Sequence, residues 1–266
     1  MKKKLICLAG AMILGAMMLA GCSSSGSGSS SGGNTFTVGF DAEYPPYGYM
    51  DENGDYTGFD LELAQAVCDL EGWELVKQPI NWDNKDNELN SGAIDCIWNG
   101  FTIDGREDDY TWSVPYVDNS QVIVVAKSSG ITTFADLSDK IVGVQAASAA
   151  LEVLQDEEQQ KALADTFKTL QEFGDYNTAF TELQAGSVDA IAMDIGVAQY
   201  QIASRGNDEF IILDEHLNSE QYGVGFKLGN EELRDKINAD LKTLKENGTF
   251  DSLADKYELS DMTCLE

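Results

Sequence analysis

A nine-residue pattern occurs twice in the chain and strongly constrains its fold. Leu89–Ile97 returns ninety-four positions later as Leu183–Ile191. In each copy a helical run meets a Gly suited to the left-handed position after a helix, and a short apolar strand follows. Either copy alone would more often be an ordinary connection between a helix and a strand. Together they predict two similar α/β units.

A second pair of segments supports this division. Thr37–Glu43 and Ile141–Ala147 are each typical of a buried strand that runs into a polar loop, about fifty residues before the matching Gly and strand. Ligands of α/β folds bind beyond the carboxyl ends of the strands. The sequence therefore predicts an α/β fold of two Rossmann-like lobes with a ligand cleft between them.

Apolar periodicity predicts the elements of both lobes. The predicted helices are Gly58–Leu70, Asn84–Asn90, Ser148–Leu154, Thr178–Leu183, Glu231–Asn247 and Phe250–Tyr257. The predicted strands are Trp73–Gln78, Ala93–Trp98, Val122–Ala126, Ile141–Gln145, Val188–Met193 and Tyr222–Lys227. We expect two strands, Val122–Ala126 and Tyr222–Lys227, to cross between the lobes, with residues 35–121 and 222–266 in lobe 1 and residues 122–221 in lobe 2. Two crossing strands form a hinge, on which the lobes can close around a ligand.

The N-terminus has the pattern of a lipoprotein signal peptide. Three lysines precede the apolar stretch Leu5–Ala20, which is short for a membrane-spanning helix. Leu19–Cys22 resembles the lipobox, which implies that residues 1–22 are the signal and that Cys22 becomes a lipid-modified N-terminus. An uncleaved anchor is the alternative. Residues 23–34 form a Ser/Gly tether, so the protein is expected to be extracytoplasmic and lipid-anchored to the cell membrane.

Composition argues against several classes of function. The formal net charge of −29 leaves no basic surface for nucleic acid. The acidic residues show no calcium-loop spacing, and His216 is the only histidine, so neither a metal nor another cofactor is expected. Cys68 and Cys96 are expected to be small buried side chains, although a disulfide with Cys264 stays possible.

Several motifs, in order after the lipobox, resemble those of extracytoplasmic solute-binding proteins of the polar amino-acid ABC-transporter family. They are Val38–Tyr47, Gly54–Asp60, Ser91–Asp95, Gly100–Arg106, Trp112–Tyr116 and Ala185–Ala190. The resemblance covers nearly the whole mature chain. It implies a type II periplasmic-binding-protein fold, a polar amino acid as ligand and the permease subunits of an ABC importer as partners.

An amino acid needs a cation for its carboxylate and acceptors for its ammonium group, because unpaired charges are costly in a closed cleft. Arg106 follows a predicted strand, and its planar fork suits a carboxylate. The resemblance assigns it that role, although the segment Asp104–Arg106 is one residue shorter than the family pattern. The alternative is a surface arginine paired with Asp108 or Glu107.

Asp194 follows the strand of the second repeat and is the predicted ammonium partner by resemblance. The alternative for Asp194 is a helix N-cap. Ala147 and Ser148 match a small-residue loop whose backbone N–H groups and hydroxyl join the carboxylate site.

Lobe 1 is expected to supply the side-chain pocket. Tyr44 and Trp82 match the positions of flat apolar walls, whereas Trp98 is expected in the core. The remaining candidates for ligand contact in lobe 1 are Asn99, Gly100, Phe101, Thr102 and Asp41, with Glu43 beside them. A carboxylate here suits a basic or amide side chain and disfavours an acidic one.

The predicted function is the capture of a polar amino acid between the lobes and its delivery to a permease, without catalysis. One alternative is a dehydratase-like enzyme of the same fold, in which Asp41 or Glu43 would supply a proton. Another is a ligand sensor that works through a separate partner.

Overall fold

The structure is a computed structural model that describes residues 34–206 and 208–266. The predicted signal peptide, Cys22 and residues 23–33 of the tether lie outside the described residues. Within the described part, no helix has the length and apolar character needed to cross a membrane.

Strands and helices alternate along most of the described chain. The strands are β1 Thr35–Phe40, β2 Glu43–Tyr44, β3 Gly48–Met50, β4 Tyr56–Thr57, β5 Glu74–Pro79, β6 Cys96–Ile97, β7 Thr111–Trp112, β8 Val117–Ala126, β9 Ile141–Gln145, β10 Thr169–Phe173, β11 Ala190–Asp194, β12 Phe210–Tyr222 and β13 Gly225–Phe226. The α-helices are α1 Phe59–Glu71, α2 Lys85–Ser91, α3 Ala149–Gln155, α4 Lys161–Ala164, α5 Tyr176–Ala185, α6 Ile195–Arg205, α7 Glu231–Glu246 and α8 Thr249–Lys256. Short 3-10 turns cover Trp82–Asn84, Phe134–Leu137 and Ser260–Met262.

Two five-stranded sheets have the same internal arrangement. The first has the order β5-β1-β6-β13-β7 and the second the order β10-β9-β11-β8-β12. In each sheet the first three strands are parallel, and the fourth strand pairs antiparallel with both of its neighbours, so it alone runs against the other four. We call the part built on the first sheet lobe 1 and the part built on the second sheet lobe 2. The predicted α/β fold with two lobes is therefore confirmed.

The repeated sequence pattern has the same structural role in both lobes. Gly92 and Gly186 end α2 and α5 in the left-handed conformation, with φ values of 77° and 73°. Asp95 and Asp189 then each accept a hydrogen bond from a backbone N–H of the neighbouring parallel strand, β1 or β9, at 2.7 and 2.8 Å. The strands β6 and β11 that follow occupy equivalent positions in their sheets.

The chain passes between the sheets at residues 113–116 and again at residues 223–224. The prediction of a single strand over Tyr222–Lys227 is wrong, because Tyr222 ends β12 in lobe 2 and β13 belongs to lobe 1. The bend falls at Gly223, which packs against Ile103 so closely that an added Cβ would lie 2.8 Å from that side chain. The predicted strand Ala93–Trp98 is also shorter in the structure, since β6 contains only two residues.

The core runs through both lobes. One cluster of buried side chains includes Phe36 and Trp98 of lobe 1 together with Tyr176 of lobe 2, and Trp98 is fully buried as predicted. Cys68 and Cys96 are buried, Cys264 is half-buried, and none of the three is bonded to another cysteine. The lobes are thus packed against each other, which places the loops between them out of solvent.

Candidate functional site

The loops after equivalent strands of the two lobes meet in the cleft. In lobe 1, Asp41 follows β1 and residues 99–102 follow β6. In lobe 2, Ala147 and Ser148 follow β9, and Asp194 ends β11. The carboxamide of Gln145, at the end of β9, donates to Asp41 Oδ2 across the cleft at 2.7 Å. The symmetry of the two sheets therefore gathers the candidate residues at one place.

A tight turn directs Arg106 into the cleft. Its backbone N–H donates to the Ile103 carbonyl at 2.9 Å, and Gly105 takes a left-handed φ of 81°. The whole residue is only 5 % exposed. In lobe 2, Glu152 Oε1 accepts from Nη2 at 2.7 Å and from Nε at 3.2 Å. The shortened loop thus still buries this guanidinium at the lobe interface.

The alternative of a surface arginine paired with Asp108 or Glu107 is wrong, since Arg106 is buried and pairs with Glu152. The guanidinium carbon lies 5.2 Å from the centre of the Phe101 ring. Phe101 itself is fully buried. Phe101 was predicted to contact the ligand, and in the structure its ring packs against the guanidinium of Arg106.

Lys85 adds a second buried cation that the sequence analysis missed. Its Nζ lies 5.5 Å from the centre of the Trp82 ring and donates to the Ala147 carbonyl of lobe 2 at 3.5 Å. Burial, followed by the nearby charge of Arg106, lowers the pKa of Lys85. Arg106 and Lys85 are therefore two buried cations at the lobe interface.

Asp194 supplies a buried carboxylate in the same cleft. It stands at the N-cap position of α6, but its side chain makes no capping hydrogen bond. Its Oδ1 instead accepts from Asn119 at 2.8 Å, Gln121 at 2.7 Å and the Tyr222 hydroxyl at 2.5 Å. The carboxylate is 2 % exposed and faces the cleft rather than the helix backbone.

Glu220, on β12, is a second buried carboxylate that shares its donors with Asp194, and no sequence pattern indicated it. Its Oε1 accepts from the same amide groups of Asn119 and Gln121, at 2.8 and 2.7 Å, and from the Thr102 hydroxyl at 2.8 Å. Glu220 is 4 % exposed. Burial, and then the negative charge of Asp194, raise the pKa of Glu220.

Aromatic rings form a wall of the cleft. Tyr44 stacks on Trp82 with ring centres 6.5 Å apart and planes 9° from parallel. Its ring centre also lies 6.0 Å from that of Tyr47 and 6.1 Å from that of Tyr176, which belongs to lobe 2. These flat surfaces suit the aliphatic or planar part of a small ligand.

Asp41 and Asn99 form a polar pair beside this wall. Asn99 Oδ1 accepts from the Asp41 backbone N–H at 2.8 Å. Burial raises the pKa of Asp41 to about 6. Glu43 is exposed and pairs with Asn177 of lobe 2, so it closes the edge of the cleft rather than its interior.

Other predicted polar groups are bonded within the protein. The Gly100 N–H donates to Asp60 Oδ2 at 2.6 Å, which fixes the loop after β6. The Ser148 hydroxyl donates to the Gln145 carbonyl at 2.8 Å and accepts from the Leu151 N–H, so it caps α3. Ala147 adopts a left-handed φ of 54°, a conformation that favours glycine.

Buried charges of both signs are the main chemical property of the cleft. Arg106 and Lys85 supply two buried cations, Asp194 and Glu220 supply two buried carboxylates, and Asp41 lies beside the aromatic wall. A small dipolar molecule would pair its own charges with groups of both signs. Such a site binds and orients a ligand without the need for a nucleophile or a metal centre.

Comparison with known proteins identifies the family of the chain. Residues 36–260 match the sequence model of the bacterial extracellular solute-binding proteins, family 3, and the chain belongs to that family. It is 31% identical over 232 residues to the L-cystine-binding protein TcyJ of Escherichia coli strain K12, covering 86% of this chain and 84% of that protein. It is 32% identical over 226 residues to the arginine-binding extracellular protein ArtP of Bacillus subtilis strain 168, covering 83% and 84%.

A solved structure is similar in fold as well as in sequence. The substrate-binding protein of an ABC uptake transporter from Streptococcus pneumoniae, with bound histidine, superimposes with a TM-score of 0.79 and 34% identity. The match covers 84% of this chain and 92% of that one. The resemblance to amino-acid solute-binding proteins noted in the sequence is therefore confirmed.

Proposed function

We propose that the protein is the substrate-binding component of an ABC importer, which captures a polar amino acid between its lobes and delivers it to the permease. The observation that carries this proposal is the buried charge separation between Arg106 and Asp194. A free amino acid carries the complementary pair of charges. The relatives named above are binding proteins, which favours binding over the enzyme alternative.

In this proposal Arg106 binds the ligand carboxylate, with backbone N–H groups at Ala147 and Ser148 nearby. Asp194 accepts hydrogen bonds from the ammonium group. The ligand side chain lies against Tyr44 and Trp82, with Asp41 at its polar end. Asn99, Gly100 and Thr102 shape the loop between these groups, and Phe101 supports Arg106 from below.

We further propose that the ligand is an amino acid with a basic or amide side chain. Burying an acidic side chain beside Asp41 would place like charges in a poorly solvated site. The relatives' ligands, as their names give them, are cystine, arginine and histidine, all of which are polar. A basic side chain would also offset the excess of buried carboxylates in the cleft.

Closure of the lobes would complete the site. Contacts that join the lobes include Arg106 with Glu152, and Gln145 with Asp41. A ligand that touches both lobes favours the closed form by the difference in its affinity for the two forms. We propose the two lobes as the moving units, close to the predicted residues 35–121 with 222–266 and 122–221, with their boundaries at the crossings, residues 113–116 and 223–224. Cys22 would carry the lipid that keeps the protein on the membrane beside its permease.

The proposed function can be tested by thermal melts of residues 35–266 against the twenty amino acids, followed by calorimetry with the amino acids that bind. The protein should first be unfolded and refolded to remove carried-over ligand. A ligand that binds only the native state raises the melting temperature. We expect a shift with one amino acid or a small related set, and no shift with glutamate or aspartate.

Variants then test the residue roles. Arg106→Ala and Asp194→Ala each remove one partner of a buried charge pair, which costs roughly 2–5 kcal/mol of binding free energy. Arg234→Ala is a matched control, because Arg234 lies on α7 and pairs only with its neighbour Asp235 in the described part of the chain. Unchanged affinity in Arg106→Ala or Asp194→Ala would contradict these assignments.

A further inference from the structure

We propose that Glu220 acts together with Asp194 as a second acceptor for the ligand's ammonium group, so that ligand capture releases a proton and weakens as the medium becomes acidic. This proposal rests on the proposed function, because it concerns the same cleft. Glu220 lies on β12, one of the two long strands that run from the hinge, rather than in a loop of either lobe.

The two carboxylates are joined by shared donors. Asn119 Nδ2 lies 2.8 Å from both Asp194 Oδ1 and Glu220 Oε1, and Gln121 Nε2 lies 2.7 Å from both. Each amide therefore bridges the pair with its two N–H bonds. The two oxygens consequently face the same small volume.

Among the described residues, no cationic side chain forms a hydrogen bond or an ion pair with either carboxylate. All the side chains that donate to Asp194 Oδ1 or Glu220 Oε1 are neutral: Asn119, Gln121, Thr102 and the Tyr222 hydroxyl. Both carboxylates are at least nine-tenths buried. Two buried negative charges that share the same donors repel each other, which favours a proton on Glu220 below about pH 7 until a cation replaces it.

The surroundings of Glu220 are well defined. Its Oε2 accepts from Asn218 at 3.2 Å. Burial raises the pKa of three nearby phenols, and the negative charges of Asp194 and Glu220 raise it further. These phenols are Tyr47, Tyr176 and Tyr222. The charged residues that line the two adjoining cavities with Glu220 are Lys85, Asp86, Asp104, Arg106, Glu107, Asp109, Glu152 and Asp156 in one, and Asp104, Asp118 and Asp261 in the other. Acidic groups outnumber cations on both sides.

An unpartnered hydroxyl also faces this volume. Within the described residues the buried Tyr47 hydroxyl has no hydrogen-bond partner. It contacts lobe 2 at Gly196, two residues after Asp194, where an added Cβ would lie 2.5 Å from the hydroxyl oxygen. An ammonium group has three N–H bonds to donate, and Asp194, Glu220 and this hydroxyl oxygen together supply three acceptors.

Ligand affinity depends on pH because ligand binding is linked to proton release from Glu220. In the ligand-free protein the pKa of Glu220 is raised to about 7, and an ammonium beside it would lower that pKa. Affinity should then rise with pH below about 7, by up to about tenfold per pH unit, and level off above it. The lost proton comes from the carboxyl group and goes to the buffer.

The test is calorimetry at pH 6.5 in two buffers of different ionisation enthalpy, with L-arginine, L-histidine, L-glutamine and L-cystine as probes. We expect the wild-type protein to release more protons per ligand bound than Glu220→Gln. We also expect the affinity of Glu220→Gln to vary less between pH 5.5 and pH 8. Comparing proteins with the same probe removes the probe's own titration. Glu158→Gln, an exposed residue after α3, is the matched control.

A stability measurement separates this role from a purely structural one. A carboxyl group with a raised pKa in the folded state destabilises the fold as pH rises from about 4.5 to about 7. Ligand-free Glu220→Gln should therefore melt at a higher temperature than wild type at pH 8, while binding the probe more weakly. If Glu220→Gln does not fold, Thr102→Val serves instead. It removes a donor to Glu220 and should move the pH dependence of affinity to higher pH.

The outcomes are distinguishable. If neither these four probes nor any of the twenty amino acids binds wild-type protein, the proposed function is contradicted. If a probe binds with equal proton release by wild type and Glu220→Gln, this proposal alone is overturned. A variant that melts at a lower temperature than wild type at every pH, and loses affinity equally at every pH, would also overturn it, because Glu220 would then only support the fold.

Discussion

Replacing Glu152 by glutamine should strengthen amino-acid binding. Glu152 of lobe 2 pairs with Arg106, the residue proposed to bind the ligand carboxylate. Its Oε1 accepts from both Nε and Nη2, so it occupies one edge of the guanidinium. A ligand carboxylate must displace Glu152 or bind beside it. Either way, the negative charge of Glu152 opposes the ligand.

The expected gain in affinity of Glu152→Gln follows from how far water screens the Arg106–Glu152 ion pair. The Glu152 side chain is 48 % exposed, so water screens its charge, although the Arg106 side chain is 6 % exposed. A screened ion pair of this kind contributes about 0.2–1 kcal/mol. Because 1.4 kcal/mol is about a tenfold change, we expect Glu152→Gln to bind about 1.5- to 5-fold more tightly. The gain should shrink at high salt, which weakens interactions that reach solvent.

Calorimetry at low and high salt measures this change, with the amino acid that gives the largest melting shift as the probe. Glu157→Gln is the matched control, because Glu157 is exposed just after the same helix and should leave affinity unchanged. Weaker binding by Glu152→Gln would refute the reasoning. It would show that the Arg106–Glu152 pair holds the ligand-bound lobes together instead of competing with the ligand.

Three further changes test the fold around the site. Gly100→Ala should destabilise the protein by roughly 1–3 kcal/mol in urea unfolding, because φ is 57° there and a Cβ would lie 3.0–3.2 Å from three tyrosine rings. Asp189→Ala should cost about 1–2 kcal/mol in the same assay, since the Ile141 N–H loses its carboxylate partner. Asp41→Asn should reduce the fall in melting temperature between pH 4 and pH 6, because burial raises the pKa of Asp41 to about 6 and its ionised form destabilises the fold.

The fold could be predicted from the sequence because its signals are local. Gly92 and Gly186 each end a helix, and the conformation that requires glycine is set by the adjacent residues. The repeated pattern then gave equivalent strands in two sheets, which no single segment would have shown. The bend at Gly223 was missed because the contact that causes it, with Ile103, joins residues far apart in sequence.

Part of the site could also be predicted from the sequence, because it depends on the same local signals. Asp194 ends β11, and Arg106 lies in the loop that follows β6, nine residues after its end. The repeat identifies both strands, and the carboxyl ends of such strands form the cleft. The burial of Arg106 and Asp194 agrees with the predicted positions, whereas their roles in binding stay predictions until the variants are measured. Ser148 was predicted as a ligand hydroxyl, but the structure shows that its hydroxyl caps α3.

The residues that were missed share one physical feature, which is that their surroundings come from the other lobe or from distant segments. Lys85 begins a polar helix and looks solvated in sequence, but it is buried against Ala147 of lobe 2. Glu220 lies in a polar strand, and its donor Thr102 is 118 positions away. Since opening the lobes would return Lys85 to water, its burial depends on closure more than that of a core residue does. Lys85 and Glu220, the charges missed in the sequence, are therefore the ones that we expect to link lobe closure to ligand binding.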